Sequence, residues 1–443
     1  MPLKHAAIPA RIMFLTTAIL GVVAIAALPA CASAHEVLSL VDFLPAGYAT
    51  DGSVSYQHEI QRAVDAAAEE RRPLLIPPLV YRVDETGIQL RSGTMLSMYG
   101  AQFLLDERRR RDGAVFVADG VTDVTLNGGE IAGRNDTWPD GVNIRGIHVR
   151  GASARIRIRD VWIHDLSSNG VGVFGSEDSP VRDVTISDAV IENCCNRYPD
   201  YLSSETWEEG STREDQGLVA CYYVDDFTVR GCRLEGSRSD GTHFYHCRRG
   251  QIIGNRIYRA KMGGYFLESC DEVIGTANIM RENGSRGTTI ERGSRNCVFT
   301  GNTVAQSGRE GLWAPDCVGL VVTSNVFELN GRKPNGAEPH QVWNANVTIN
   351  QARHDPSDSP TADYLVADNI IRTSDAQVAA IRVDAGEDTS GIVIRGNVLR
   401  GENRTILVSG PRRGDVTTAA NDAAILTATP PTTAAQDPAS DEQ

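Results

Sequence analysis

The 443-residue sequence lacks three features that would assign it to common classes of protein. After residue 34 it contains no apolar segment long enough to span a bilayer. It has 43 Lys and Arg against 57 Asp and Glu, a formal charge of −14, so it has no basic excess for binding nucleic acid. Long stretches with helical periodicity are absent outside residues 55–70. A coiled coil, a membrane-spanning protein and a nucleic-acid partner are therefore disfavoured.

The N-terminus has the organisation of an export signal. Two basic residues precede an apolar run over residues 12–30, and Ala32-Ser33-Ala34 has the pattern of small residues that precedes a signal-peptide cleavage site. We therefore predict a signal peptide over 1–34 and a secreted or periplasmic protein. The alternative is a lipoprotein, because residues 28–31 resemble a lipid-attachment box that ends at Cys31. Cys31 would then carry a lipid anchor to a membrane.

An internal repeat dominates the rest of the chain. Two short apolar strands flank one polar turn residue, as in QIIGNRIYRA at 251–260 and CVFTGNTVAQSG at 297–308, with a period near 23 residues. A coil of two or three strands needs about that length and stacks on the next coil at ~4.8 Å. Asparagines at one turn of every coil are expected to hydrogen-bond one another as a ladder. This predicted ladder contains Asp188, Cys232, Asn255, Asn278, Asn302, Asn325, Asn369 and Asn397.

A second series of strands lies between the ladder positions and is usually opened by glycine, as in GTHFYHC at 241–247. Alternation with a period of two places one set of side chains inside the stack. This inward set is Ile147, Val149, Val171, Val173, Leu218, Ala220, Phe244, Leu267, Ile290, Leu312 and Ala314. We predict an all-β fold, a single-stranded right-handed parallel β-helix over residues 35–410. A helix within residues 55–70 is expected to cap its N-terminal end, and residues 411–443 are expected to form a disordered tail.

The cysteines divide into two groups. The adjacent pair Cys194 and Cys195 falls in an expected loop and is the best disulfide candidate in an exported chain. Cys247, Cys270 and Cys317 share one position relative to the ladder and are expected to stack as buried thiols. A metal site at these cysteines is less favoured, because no histidine follows at ligand spacing.

The stretches DGSVSYQHEIQRAVDAAAEERRPLLIPPLVYRV and GIQLRSGTMLSMYG resemble the start of pectate-lyase-type β-helix proteins. That superfamily contains polygalacturonase-like hydrolases, polysaccharide lyases, mannuronan epimerases and phage tailspikes. The resemblance implies the fold and a polysaccharide or oligosaccharide ligand. It does not imply one activity, because the polygalacturonase motifs are absent and residues 354–358 match the epimerase signature only superficially.

The ladder spacing doubles twice, so residues 194–215 and 331–361 must leave the coils as long excursions. Both contain aromatic and acidic residues, among them Trp207 and Trp343. The coils between these excursions are expected to form the floor of a cleft. Its candidate catalytic residues are Asp240, His243, Glu268 and Glu291, and its candidate substrate-binding residues are Tyr245, Arg286, Arg292, Trp313, Trp207 and Trp343.

Three functions fit these residues, and the first is the preferred interpretation. The first is a glycoside hydrolase, in which Asp240, Glu268 and Glu291 supply the acid, base or nucleophile without a cofactor. The second is a polysaccharide lyase or uronate C5-epimerase. Its base would be His243 or Tyr245, arginines or Lys261 would neutralise the uronate, and calcium could bind Asp240. The third is a non-catalytic glycan-binding protein, in which Glu268, Glu291 and Arg292 form only a surface ion-pair ladder.

Overall fold

The computed structural model describes residues 37–84, 86–105, 111–139, 142–195, 216–332, 345–352, 359–422 and 424–427. In this part of the chain, short β-strands form three long parallel sheets, and each coil of the chain contributes one strand to each sheet.

Sheet A contains fourteen strands, which recur once per coil. They are β1 (Leu38–Ser39), β3 (Leu74–Leu75), β6 (Met95–Ser97), β9 (Thr122–Asn127), β12 (Ala154–Arg159), β15 (Val181–Ser187), β18 (Val224–Arg230), β21 (Arg248–Ile253), β24 (Asp271–Thr276), β27 (Val298–Thr300), β30 (Val321–Thr323), β34 (Leu365–Ala367), β38 (Ile392–Arg395) and β41 (Val416–Ala419).

Sheet B contains thirteen strands, most of which follow the sheet A strand of the same coil after a short turn. They are β2 (Asp51–Ser55), β4 (Val80–Val83), β7 (Gln102–Leu105), β10 (Glu130–Ala132), β13 (Trp162–His164), β16 (Val190–Glu192), β19 (Arg233–Glu235), β22 (Arg256–Tyr258), β25 (Ile279–Arg281), β28 (Thr303–Ala305), β31 (Val326–Glu328), β35 (Ile370–Arg372) and β39 (Val398–Arg400).

Sheet C also contains thirteen strands and carries the candidate site. They are β5 (Ile88–Gln89), β8 (Gly113–Asp119), β11 (Ile144–Arg150), β14 (Val171–Phe174), β17 (Val219–Tyr222), β20 (Thr242–Tyr245), β23 (Tyr265–Glu268), β26 (Thr288–Glu291), β29 (Leu312–Trp313), β32 (Ala345–Asn350), β36 (Ala379–Asp384), β40 (Thr405–Ser409) and β42 (Ala424–Thr427). A small extra pair consists of β33 (Thr361–Ala362) and β37 (Thr389–Ser390).

The predicted parallel β-helix is confirmed by the strand register. Each strand of the three long sheets pairs in parallel with the corresponding strands of the adjacent coils, so residues one coil apart lie side by side. The inward side chains form one continuous hydrophobic core along the stack. Of the predicted inward set, all but Ala220 belong to that core.

Ala220 was predicted to face inward but faces outward. Val219 and Cys221 pair with the inward Val171 and Val173, which directs Ala220 to the outer face of sheet C. The expected alternation was counted from Gly217, but this glycine lies one position earlier than the glycines that open the neighbouring strands. The phase of β17 was therefore predicted wrongly.

The asparagine ladder is confirmed and is longer than expected. The side-chain Oδ1 of each asparagine accepts the main-chain N–H of the preceding one, for example Asn255 to Asn278 at 3.0 Å and Asn278 to Asn302 at 2.9 Å. The ladder begins at Cys232, whose N–H bonds Asn255, and ends at Asn421. Asp188 is not in this register, since Ala189 occupies the position that Cys232 and Asn255 have in later coils.

The N-terminal capping helix is present as α1 (Gln57–Glu70), and Leu40–Phe43 forms a 3-10 turn. Ile60, Val64 and Ala67 are fully buried on one face of α1, which packs against the first strands of the stack. This helix covers apolar surface that the first coil would otherwise expose.

The predicted boundary at residue 410 is too early. A second 3-10 turn (Arg413–Asp415) leads into β41, and both β41 and β42 pair with strands of the preceding coil. The supposed tail therefore supplies part of a further coil as far as residue 427. The predicted signal peptide, Cys31 and residues 428–443 lie outside the described residues. No helix in the described ranges is long and apolar enough to cross a membrane.

The eight cysteines of the described chain are all buried, and Cys194 and Cys195 form no disulfide with each other. The disulfide prediction at Cys194 and Cys195 is therefore wrong: both side chains belong to the hydrophobic core. Burial raises the pKa of Cys194 to about 12. Packing of thiols between coils is confirmed, because Cys247 Sγ donates to Cys221 O at 3.0 Å and Cys270 Sγ to Phe244 O at 3.3 Å.

Candidate functional site

The candidate residues lie on the outer face of sheet C, where the register brings distant parts of the chain into two columns. One column contains Ala220, His243, Phe266, Thr289 and Trp313. The other contains Tyr222, Tyr245, Glu268 and Glu291. The predicted alignment of Glu268 with Glu291 on adjacent coils is confirmed. Trp207 and Trp343 lie outside the described residues.

A chain of three acid–base groups crosses the two columns. Tyr222 Oη lies 2.9 Å from His243 Nδ1, and His243 Nε2 lies 3.1 Å from Glu268 Oε2. The imidazole stacks flat on Phe266, with ring centroids 4.4 Å apart. The side chain of His243 is only 1% exposed. His243 is thus fixed in position, and a proton can pass along this chain without bulk water.

Arg292 binds both glutamates of the second column. Its Nη1 lies 2.5 Å from Glu268 Oε1, and its Nε lies 3.5 Å from Glu291 Oε1. Burial opposes the charged guanidinium, but Glu291 and Glu268 outweigh that effect and raise the pKa of Arg292 above its ordinary value. Arg292 is therefore a permanent cation between two carboxylates.

The exposed charge on this face is positive, although the columns contain two carboxylates. The side chains of Glu268 and Glu291 are 4% and 5% exposed, whereas Arg292 is 25% exposed. Tyr245 is partly exposed and interacts electrostatically with Arg292. A ligand on this face would thus meet a phenol and a guanidinium before it meets a carboxylate.

Arg286 and Trp313 form a second contact further along the sheet. The guanidinium of Arg286 lies 3.9 Å from the centre of the Trp313 ring, so it covers one face of the indole. The indole N–H donates to Asn350 Oδ1 at 2.7 Å. Beneath them, fully buried Glu310 pairs with both Arg286 and Arg309 at 3.4 Å. The expected role of Trp313 as an open stacking surface therefore holds for one ring face at most.

Asp240 is separated from the glutamate column. It lies in the turn before β20 and is 3% exposed, and its Oδ1 accepts the N–H of Gly263 at 2.8 Å. No group of three or more His, Cys, Asp or Glu in the described ranges is arranged to hold a metal ion.

Sequence reasoning missed Tyr222, which completes the hydrogen-bonded chain to His243. The phase error in β17 hid it, because the wrong alternation turned Tyr222 inward. A signal was available: Tyr222 and Tyr245 lie 23 residues apart, the same period as the ladder. Glu310 was missed as the common partner of Arg286 and Arg309, since side-chain direction in a turn has no simple periodicity.

Comparison with known proteins identifies the fold. A family profile described as "Right handed beta helix region" matches residues 216–422. The described chain has the fold of a right-handed parallel β-helix. No curated protein matches its sequence. Among solved structures, this β-helix protein is similar to the A-module of the mannuronan C-5 epimerase AlgE6 of Azotobacter vinelandii, at 15% identity and a TM-score of 0.70. That alignment covers 89% of this chain and all of the module.

Two further solved structures show how widely the fold is used. The surface adhesin PfbA of Streptococcus pneumoniae is 12% identical, with a TM-score of 0.57, and the alignment covers 89% of this chain and 92% of the adhesin. A mutant tailspike of the Escherichia coli bacteriophage HK620, solved with a pentasaccharide, is 13% identical with a TM-score of 0.50. Its alignment covers 84% of this chain and 65% of the tailspike. At these identities the likeness shows the fold alone.

Proposed function

We propose that this β-helix protein acts on an acidic polysaccharide by removing the proton next to a uronate carboxylate, as a lyase or a C5-epimerase does. The proposal rests on a difference in solvent exposure between side chains on sheet C. Tyr245 and Arg292 reach the surface, whereas Glu268 and Glu291 lie beneath and are bound by Arg292. The epimerase neighbour and the pentasaccharide-bound tailspike agree with a polysaccharide ligand.

Each residue has a distinct part in this chemistry. The guanidinium of Arg292 offsets the charge of the uronate carboxylate and stabilises the enediolate that forms when C5 loses its proton. Tyr245 exchanges the proton with C5, as a partly exposed acid–base group that interacts with Arg292. Tyr222, His243 and Glu268 behind it hold a hydrogen-bonded path for protons. In a lyase the electron pair left at C5 then forms the C4–C5 double bond, the C4–oxygen bond breaks, and the leaving oxygen takes up a proton. In an epimerase a proton from solvent returns to C5 on the opposite face.

A glycoside hydrolase is the second candidate, favoured by one observation. Glu268 and Glu291 are opposite each other on adjacent strands, a backbone separation of ~4.8 Å. Paired carboxylates at about 5 Å suit a retaining mechanism. Against it, Glu268 already bonds both His243 and Arg292, and neither glutamate reaches the surface. A buried carboxylate that is already paired is poorly placed to protonate or attack a sugar.

A product assay separates these functions. The purified protein is incubated with uronate polymers and with neutral polysaccharides, in ordinary water and in D2O. A lyase produces a C4–C5 double bond conjugated to the carboxylate, which absorbs ultraviolet light. An epimerase incorporates deuterium at C5 without cutting the chain, and a hydrolase releases reducing ends with neither signal.

The variants Tyr245→Phe and Arg292→Lys test the assignment. We expect each to reduce kcat/KM at least a hundredfold, because a positioned acid–base group alone contributes about 10²–10⁴-fold. The nearby Ser269→Ala is the matched control: its hydroxyl bonds Arg292 O but does not belong to the acid–base chain. The proposal would be refuted in favour of hydrolysis if the products had new reducing ends but neither a C4–C5 double bond nor deuterium at C5, and if Tyr245→Phe were fully active.

A further inference from the structure

Sheet B carries a second group of chemically active side chains on another face of the β-helix. It lies on the turn and strands around β10, β13 and β16, near the N-terminal end of the stack. Trp162 is 43% exposed and Tyr99 is 56% exposed. They are the only exposed tryptophan, tyrosine or phenylalanine residues in the part of the chain that the structure describes.

Tyr99 is hydrogen-bonded to the turn that precedes Trp162. Its Oη donates to Asp160 Oδ2 at 2.8 Å, and Asp160 lies two residues before Trp162. The ring of Tyr99 lies over Gly128, where a Cβ atom would come within 2.5 Å of it. The glycine therefore allows the tyrosine ring to lie across this coil and its hydroxyl to reach Asp160.

The indole of Trp162 is held rigidly although it is exposed. Its ring N–H donates to Glu192 Oε2 at 3.2 Å, and the imidazole of His164 packs on it with centroids 4.6 Å apart. His164 is itself fixed between Asp165 at 2.7 Å and Glu130 at 3.1 Å. Holding an exposed ring in one orientation lowers the entropy lost when a ligand binds. Solvent exposure alone gives no reason for so many fixed contacts around one ring.

The rim of this surface consists of carboxylates that already have hydrogen-bond or ion-pair partners. Glu192 pairs with Arg233 at 2.8 Å, whereas Glu130 accepts from the uncharged Gln102 at 2.6 Å in addition to its contact with His164. Carboxylates at the rim repel an anionic chain. Two separate rings, rather than a broad apolar patch, are also a poor match for a protein partner.

We infer that Tyr99 and Trp162 form a binding surface for an uncharged polysaccharide, separate from the face of sheet C. The apolar side of a sugar ring covers each aromatic ring, and its hydroxyls donate to Asp160, Glu130 and Glu192. The two rings reach across successive coils, so an extended chain running along the stack contacts both. This surface would hold the protein on a neutral glycan whatever reaction occurs on sheet C.

Binding of the full chain to a panel of polysaccharides tests this inference. Affinity gel electrophoresis measures retardation by soluble neutral glucans, mannans and xylans, with a uronate polymer and an amino-sugar polymer as charged comparisons. The variants are Trp162→Ala, Tyr99→Ala and the double variant, and Tyr258→Ala, at a partly exposed tyrosine of β22 further along sheet B, is the matched control. Thermal melting establishes that each variant is folded, which is expected because both rings are exposed.

We expect at least one neutral polysaccharide to bind, with affinity reduced tenfold or more by Trp162→Ala and further by the double variant. Trp162→Phe should recover part of the affinity, because it keeps the ring but loses the bond to Glu192. Tyr258→Ala should bind the neutral glycan as the wild type does. Failure of every neutral polysaccharide to bind, preference for a charged polymer, or unchanged affinity in the folded double variant would each overturn the inference. None of these outcomes depends on activity at Tyr245.

Discussion

Replacing Asn278 by alanine removes one rung from the middle of the asparagine ladder. The Oδ1 of Asn278 accepts two hydrogen bonds from Asn255, one from its main-chain N–H at 3.0 Å and one from its side-chain Nδ2 at 2.9 Å. The Nδ2 of Asn278 donates to Ile252 O at 2.8 Å and to Asn302 Oδ1 at 3.0 Å. The residue is fully buried, so water cannot take over these bonds.

The cost follows from the groups left behind. In the variant, the main-chain N–H of Asn255 loses its acceptor and Ile252 O loses a donor. Two other groups keep a partner: the Nδ2 of Asn255 still donates to Val229 O, and the Oδ1 of Asn302 still accepts the main-chain N–H of residue 278. A buried polar group that loses its partner costs about 1–3 kcal/mol. Two such groups predict a loss of about 3 kcal/mol in the free energy of unfolding.

Urea denaturation followed by circular dichroism measures this loss as a shift of the unfolding midpoint. Asn421→Ala is the matched control, because Asn421 makes the same bonds to Asn397 and Ile394 but lies at the partly exposed end of the ladder. Water can replace it there, and we expect about 1 kcal/mol or less. An equal loss in both variants, or a loss below about 1 kcal/mol for Asn278→Ala, would refute the argument that burial gives the ladder its strength.

Two further predictions concern buried titratable groups. Burial, with Arg145 and Arg150 as further causes, lowers the pKa of His148 to about 3. The unfolded chain therefore binds more protons below pH 6.5, and stability should fall as pH decreases from about 6.5 towards 3. His148→Gln should lose less stability over that interval in denaturation series, and an identical pH profile would contradict this. Burial also raises the pKa of Cys232 to about 11 and of Cys297 to about 12. The eight described cysteines should resist a thiol reagent in the native protein and react in guanidinium, whereas rapid native labelling would show that the coils open.

Periodicity was sufficient to predict the fold because a solenoid repeats its contacts locally. A register of about 23 residues placed Asn255, Asn278 and Asn302 above one another, and their hydrogen bonds confirm it. The same register aligned Glu268 with Glu291. Errors arose where the period was interrupted. The ladder spacing doubles in the sequence before β17, and the phase of Ala220 and Tyr222 was wrong by one residue after that interruption.

The predicted end of the fold failed for a related reason. Residues 411–427 contain little of the repeat's apolar pattern, yet Val416 and Ala424 open strands that pair with the preceding coil. An edge strand needs a partner on only one side, and its main-chain bonds do not depend on side-chain type. Composition therefore suggested a tail where backbone pairing forms strands.

The sequence by itself determined the stack, its register and the group of residues that face outward on sheet C, because each depends on spacing along the chain. Only the tertiary structure decided which of those residues reach the surface. Glu268 and Glu291 are covered and bound to Arg292, whereas Tyr245 and Arg292 reach the ligand side. The same holds for Tyr99 and Trp162, which lie 63 positions apart, with Tyr99 hydrogen-bonded to Asp160 in the turn before Trp162. Exposure and charge pairing depend on side-chain lengths and rotamers across several coils, and a one-dimensional period does not contain that information.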